Sequence, residues 1–135
     1  MKQDFSTKWK SSVQPRKQRK YLYNMPLHLR QKLMGSTLEK VLRKKFGIRS
    51  LEVRKGDEAK IMRGKFKGKI GKVDEVNKSK VRAGIEGMNI TKKDGNKVKA
   101  WFHPSNLKLV KVDEEDKKRF KRSKKPEEKD AQKTK

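Results

Sequence analysis

The amino-acid sequence predicts a mainly β fold: a small antiparallel barrel or sandwich carrying a basic N-terminal arm, short helices and a basic C-terminal tail. Three observations carry that expectation. After residue 50 the apolar positions alternate with polar ones instead of recurring at helical spacing, so side chains divide between two faces as they do on a strand. Turn chemistry falls between the alternating runs, most plainly at Asp94-Gly95, a pair that accepts the positive φ of a tight hairpin. Finally, 30% of the residues are hydrophobic and 42% charged, which supplies one thin core and not a core spanning all 135 residues.

Four segments follow in order. Residues 1–23 combine high charge with little periodicity, and Pro15 is followed by Arg16, Lys17, Arg19, Lys20 and Tyr21. Such composition predicts an arm that is disordered alone and ordered by its partner. Its aromatics Trp9, Tyr21 and Tyr23 suit either anchoring on the barrel or stacking on bases. Residues 24–50 read as short helices packed on the barrel. Asn24 stands as an N-cap, and Pro26 falls in the first turn, where its missing N–H would be unpaired anyway. Leu27, Leu29, Leu33 and Met34 then offer apolar contacts before Gly35 interrupts. Ser36 and Glu39 have capping-box spacing, and Leu38, Val41, Leu42 and Phe46 share one face of the helix this implies. Gly47 is placed to end it in the left-handed conformation, while Lys40, Arg43, Lys44 and Lys45 occupy its other face.

Residues 51–112 hold the strands. Ala59 and Ile61, Gly71 and Val73, the run Val81, Ala83 and Ile85, then Met88 and Ile90, each alternate with polar or small neighbours. Leu107 and Leu109 share a face, but Val110 and Val112 switch to the other, which predicts a bulge or a strand leaving the sheet. Asn77 to Ser79 suits a tight hairpin, and Trp101 with Phe102 reads as the core-facing end of a strand. Five short strands at this spacing, with about a dozen inward side chains, suffice for a barrel that folds alone. Residues 113–135 open with a short helix over Asp113 to Phe120, acids first and bases later as the helix dipole prefers. Beyond Arg122 the Lys, Glu, Ser, Pro and Gln composition predicts disorder.

Charge narrows the function. Lysine and arginine number 41 against 16 acidic residues, a formal charge of +25 and a pI near 10.4. Residues 1–54 contribute a net +12 and residues 55–112 a net +10, so the tail, at +3, adds little. Self-repulsion of this size calls for a polyanion, and each neutralised phosphate releases a condensed counterion. Nucleic acid fits. A membrane does not, because no apolar run approaches the ~20 residues needed to span one, and Met1 to Lys10 lacks the apolar stretch of a signal peptide. The chain has no cysteine, hence no disulfide framework and no thiolate metal site. A cytoplasmic chain without cofactor or small-molecule substrate is the economical expectation. His28 and His103 come with no nucleophile, carboxylate pair or ligand spacing that would make an enzyme, and the acids Asp113 to Asp116 suit a helix start better than a metal.

The most informative stretch runs from Lys55 to Val73: a Gly56-Asp57 turn, a strand, a basic loop between Gly64 and Gly68, and a second strand. The two glycines permit positive φ and close backbone approach. Arg63, Lys65, Lys67 and Lys69 crowd the loop with charge around Phe66, which suits packing on the barrel or stacking on a base. This stretch resembles a KOW motif, found in ribosomal proteins and in transcription-elongation factors of the NusG type. The flanks choose between them. Residues 15–20, 24–30, 46–57, 86–95 and His103-Pro104-Ser105-Asn106-Leu107 resemble, in order, the archaeal and eukaryotic form of the universal large-subunit ribosomal protein family L-twenty-four, called L-twenty-six in eukaryotes. The similarity covers roughly residues 13–112, with Ala59 standing where KOW motifs usually carry a larger aliphatic side chain. The N-terminal extension differs from the bacterial form.

The resemblance implies an SH3-like barrel in the large ribosomal subunit that binds the subunit's RNA toward its 5′ end, supports early assembly and lies near the polypeptide exit, beside neighbouring ribosomal proteins. Docking by charge and shape is expected, because duplex RNA hides its base edges in a deep groove. Arg16, Arg19, Arg30, Arg43, Arg49, Arg54 and Arg63 are the candidates for bidentate phosphate contacts. Lys17, Lys20, Lys44, Lys65, Lys67 and Lys69 would add less directional charge, with Tyr21, Phe66 and His103 completing the candidate RNA contacts. Two other readings stay weaker. A transcription-elongation KOW protein would need an α/β domain for which residues 1–54 are too short. An SH3 module for proline-rich ligands would leave the charge unexplained.

Overall fold

A helix forms where the sequence suggested a disordered arm. The structure is a computed structural model describing residues 5–9 and 11–120. In it α1 spans Pro15–Asn24. Pro15 sits at the first helical position, where its fixed φ is pre-organised, and the following Arg, Lys and Gln residues are good helix formers. No α1 residue is buried, so the helix rests on local propensity and on the contacts of its last turn. It ends at Asn24 because Met25, preceding Pro26, is forced into an extended conformation. Asn24 thus terminates one helix and does not cap the next. The second helix, α2 (Leu27–Arg30), starts from Pro26, whose carbonyl accepts the N–H groups of Leu29 and Arg30, and continues as a 3-10 turn over Gln31–Met34.

The capping box at Ser36 and Glu39 does not form. Gly35–Leu38 is instead strand β1, with Ser36 and Leu38 buried and Gly35 exposed. The Ser36 hydroxyl, aimed inward, donates to the Leu107 carbonyl at 2.6 Å. Helix α3 (Lys40–Phe46) begins one turn later, with Glu39 at its cap position making no side-chain cap bond. Gly47 closes it at φ 65°, its N–H bonded to the Arg43 carbonyl, as the sequence led us to expect.

Six more strands follow: β2 (Ser50–Glu52), β3 (Glu58–Ile61), β4 (Ile70–Asn77), β5 (Arg82–Thr91), β6 (Lys97–Phe102) and β7 (Leu107–Lys111). The order across the sheet is β2-β1-β7-β3-β4-β5-β6. All neighbours are antiparallel except β1 and β7, which pair in parallel, Thr37 opposite Lys108 and Leu38 opposite Leu109. The sheet curls into an open barrel of the small SH3-like kind, mainly β, with the helices as attachments. The two apolar runs on either side of Gly87 form one strand, β5, kinked where its register with β6 shifts between Gly84 and Asn89. At β7 the register against β3 skips Val110, the bulge that the face switch implied. The Asp94-Gly95 hairpin closes through Lys92 and Asn96, with Gly95 at φ 79°.

Among the described residues the core cluster holds thirteen buried hydrophobic side chains, including Met34, Leu38, Ala59, Ile61, Val73, Ile85, Leu107 and Leu109. Strand alternation delivers nearly all of them. Ala59 faces Gly71 on β4, where the space a side chain would need is taken: an added Cβ would stand 2.6 Å from Ile85 Cγ2.

The helix expected over Asp113 to Phe120 is reduced to a 3-10 turn at Lys117–Phe120, with Asp116 accepting the Lys118 N–H at 2.8 Å. The acids ahead of that turn form ion pairs instead: Glu114 with Lys45, and Asp116 with Arg54. Arg119 then reaches back across 62 residues to Asp57, donating to Oδ1 at 2.9 Å and to Oδ2, and to the Glu52 carbonyl at 2.7 Å. Both side chains are buried, Asp57 0% and Arg119 3% exposed. Phe120 stacks on Phe46 at 4.5 Å and joins the core edge. The disorder expected beyond Arg122 concerns a segment outside the described residues.

Candidate nucleic-acid interface

The basic loop is built from the backbone outward. Strand β3 ends at Ile61 and β4 starts at Ile70, and the residues between are laced by main-chain bonds. Ile61 N–H donates to Lys69 O at 2.9 Å, Gly68 N–H to Ile61 O at 2.8 Å, Lys67 N–H to Gly64 O at 3.0 Å and Lys69 N–H to Phe66 O at 3.1 Å. Gly64 and Gly68 sit at φ 89° and 88°, conformations that cost an L side chain strain, and nothing lies within 4 Å of either one's missing Cβ. Their backbone is therefore uncovered and open to close approach. Met62 N–H donates to Asn106 O at 2.8 Å, which ties the loop to the turn before β7.

This lacing decides where the side chains go. Phe66 turns inward, packing edge-on against Phe102 at 5.9 Å, with the Lys69 ammonium 5.6 Å from its ring. Arg63, Lys65, Lys67 and Lys69 are all exposed, and none is ion-paired among the described residues. Four exposed cations on a loop laced by main-chain bonds concentrate positive charge at this end of the barrel. His103 belongs to the same neighbourhood through the Asn106 link. Its Nδ1 is engaged by Ser105 Oγ at 2.8 Å, which leaves Nε2 as the ring nitrogen available to a ligand.

The other candidate residues fall into two further places. Arg16, Lys17, Arg19 and Lys20 are exposed along α1, with Tyr21 tilted against Phe5 at 4.8 Å. Tyr23 is exposed, and the side chain of Trp9 lies outside what the structure describes. At the opposite end of β3 from the loop, Arg49 and Arg54 line a groove with Gln31, Glu52 and Lys118. Lys44 is exposed on nearby α3. Arg54 is held there by Asp116, whose carboxyl stays below its ordinary value of 3.8, first through the Arg54 hydrogen bond, then through the Lys118 N–H, and after these through the Arg54 charge.

Two further candidate arginines are engaged by main-chain carbonyls. Arg30 donates through Nη1 to Ser79 O at 2.8 Å and through Nη2 to the carbonyls of Leu22 and Tyr23, bolting the last turn of α1 to the β4–β5 turn. Arg43 Nε donates to Leu38 O at 2.7 Å, capping the end of β1. Both are partly buried. Lys118 in the groove and Arg119 beneath it went unremarked in the sequence, where nothing local links them to Asp57 or Arg49.

Among the described residues no helix is long and apolar enough to cross a membrane, and no cluster of His, Asp or Glu could hold a metal ion. A family model for the ribosomal proteins called L-twenty-six in eukaryotes and L-twenty-four in archaea matches residues 12–125. The match takes in α1, the whole barrel and the strap that returns to Asp57. The chain therefore belongs to this ribosomal protein family, and is a structural protein of the large ribosomal subunit.

Proposed function

We propose that this protein binds large-subunit ribosomal RNA by charge and shape, with the loop around Gly64 and Gly68 as its principal contact and α1 as a second. The carrying observation is the loop itself: four exposed cations, Arg63, Lys65, Lys67 and Lys69, on a backbone held rigid by hydrogen bonds and free of covering side chains. Rigidity matters because little side-chain and backbone order has to be imposed at binding. Arg16, Lys17, Arg19 and Lys20 extend the cationic track, while Lys44, Arg49 and Arg54 form a separate patch across the barrel. Arg30 and Arg43 act mainly by holding those surfaces in place.

The family further suggests binding near the 5′ end of the RNA, a part in early subunit assembly, a cytoplasmic site near the polypeptide exit, and neighbouring ribosomal proteins as partners. Exposed apolar side chains at Leu22, Leu27 and Val41 would suit contacts of the last kind.

The test is filter binding of the full chain to a 5′-domain transcript of large-subunit RNA across a salt series. The log–log slope should be several units negative, about 0.9 per phosphate neutralised on a duplex. A flat response, or equal affinity for an uncharged polymer, would overturn the reading.

A further inference from the structure

On β6 the residues alternate between the barrel interior and its outer surface. Ala100 is buried and Phe102 packs inward on Phe66, so Trp101 is turned outward, 37% exposed. A singly exposed aromatic is common on any protein surface; the surroundings of this one are not. Across the ladder it faces Gly84, so β5 presents no side chain over the indole. The same outer face of β5 carries Arg82, next to Ala83, and opposite Arg82 on β4 stands Asn77. Arg82 is exposed and makes no ion pair among the described residues. His103, with its Nδ1 held by Ser105, lies two residues beyond Trp101.

Two acids on β4 are paired with a lysine of β6. The Lys99 stem lies over Gly84, so close that a Cβ there would meet its Cδ at 2.9 Å, and its ammonium reaches Asp74 at 2.5 Å and Glu75 at 3.3 Å on β4. A lysine that crosses a strand to two carboxylates offsets one of their two charges and so lessens the repulsion an anion near Trp101 would meet. The strand continues into the turn whose Asn106 carbonyl accepts the Met62 N–H at the start of the basic loop.

From this we infer that the outer face of β6 is a second RNA subsite, taking a single unpaired nucleotide: its base stacks on Trp101 and its phosphate meets Arg82. The inference rests on the RNA-binding reading above and adds to it a preference for unpaired RNA. Charge alone supplies no such preference, whereas an aromatic platform needs a base face that a duplex keeps stacked.

The test uses the full-length chain, a single-stranded oligoribonucleotide of about eight nucleotides and a duplex of roughly 16 base pairs. Trp101→Ala should weaken single-strand binding by about 5- to 150-fold, the range expected for one base stacked on one aromatic, and leave duplex binding within about twofold. Trp101→Phe should restore most of the loss, and the quenching of protein fluorescence by the single strand should shrink in Trp101→Phe. Single-strand affinity unchanged in Trp101→Ala, or an equal loss for both RNAs, would overturn the subsite while salt-dependent duplex binding still upheld the parent reading. Wild-type protein that bound neither RNA would sink both.

Discussion

Replacing Arg119 with alanine tests whether the C-terminal strap is part of the fold. The guanidinium makes two bonds to the Asp57 carboxylate and one to the Glu52 carbonyl, at a site where Asp57 is wholly buried. Without it, the Asp57 carboxylate keeps the Arg54 N–H at 2.9 Å and the Asp113 N–H at 3.4 Å. Removing one member of a buried ion pair strands the other charge and costs about 3–5 kcal/mol. Against a total of about 5–15 kcal/mol for a domain this is a large share, and it should lower Tm by about 10–20 °C for a chain of this size. Thermal and urea unfolding followed by circular dichroism would measure it. Replacing Asp57 and Arg119 together by leucine should recover much of the loss, because no charge is then left buried. A drop under about 1 kcal/mol in Arg119→Ala, the scale of an exposed pair, would mean the strap is not anchored as described.

Replacing Lys65, Lys67 and Lys69 together with alanine should lower RNA affinity in filter binding while Tm barely moves, since all three are exposed. If the variant unfolds, the loop is structural. Gly71→Ala should destabilise by about 1–3 kcal/mol in urea titration, because the new methyl would press on Ile85 Cγ2 and, at 3.1 Å, on the Glu86 carbonyl; an unchanged midpoint would contradict that packing. Ser36→Ala removes the buried bond to Leu107 O and should cost about 1–2 kcal/mol, a loss that equilibrium unfolding would show. The carboxyl of Asp74 should titrate below 3.8, held down first by its hydrogen bond and then by the charge of Lys99, with Asp116 behaving alike beside Arg54. Both depressed values mean stabilisation present above the ordinary carboxylate range and lost as pH falls through the folded-state midpoints. Carboxyl NMR would show it, and an Asp74 midpoint at or above 3.8 would disprove the Lys99 contact.

What the sequence revealed followed the range of the interactions. Asp94-Gly95, Gly47 and the Gly64–Gly68 loop are local chemistry, and each lies where the residues placed it. The loop cations were legible for the same reason. Ser36-Thr37-Leu38-Glu39 misled because its capping-box spacing is a local signal, whereas its strand conformation is imposed by β2 on one side and β7 on the other. The arm erred the opposite way: Pro15 and the helix formers after it were a sufficient local cue that a reading of charge alone overlooked. Trp101 read as core because aromatics ending a strand usually are; the burial of its neighbour Ala100 and the packing of Phe102 on Phe66 turn it outward. Arg30, Arg43 and Arg119 look like any other basic residue until the carbonyls and the carboxylate they meet are known.

Strand β7 is the last of the described strands to be synthesised, yet it lies between β1 and β3 in the sheet. Until it emerges, the first half of the chain has no partner for either flanking edge, and the Ser36 hydroxyl has no carbonyl to meet. Folding of the sheet is thereby postponed until β7 has emerged, a slow topology with two open edges prone to mispairing. A nascent copy of this protein is thus at its most vulnerable just before β7 emerges, when a chaperone or its own RNA would do most to keep it from aggregating.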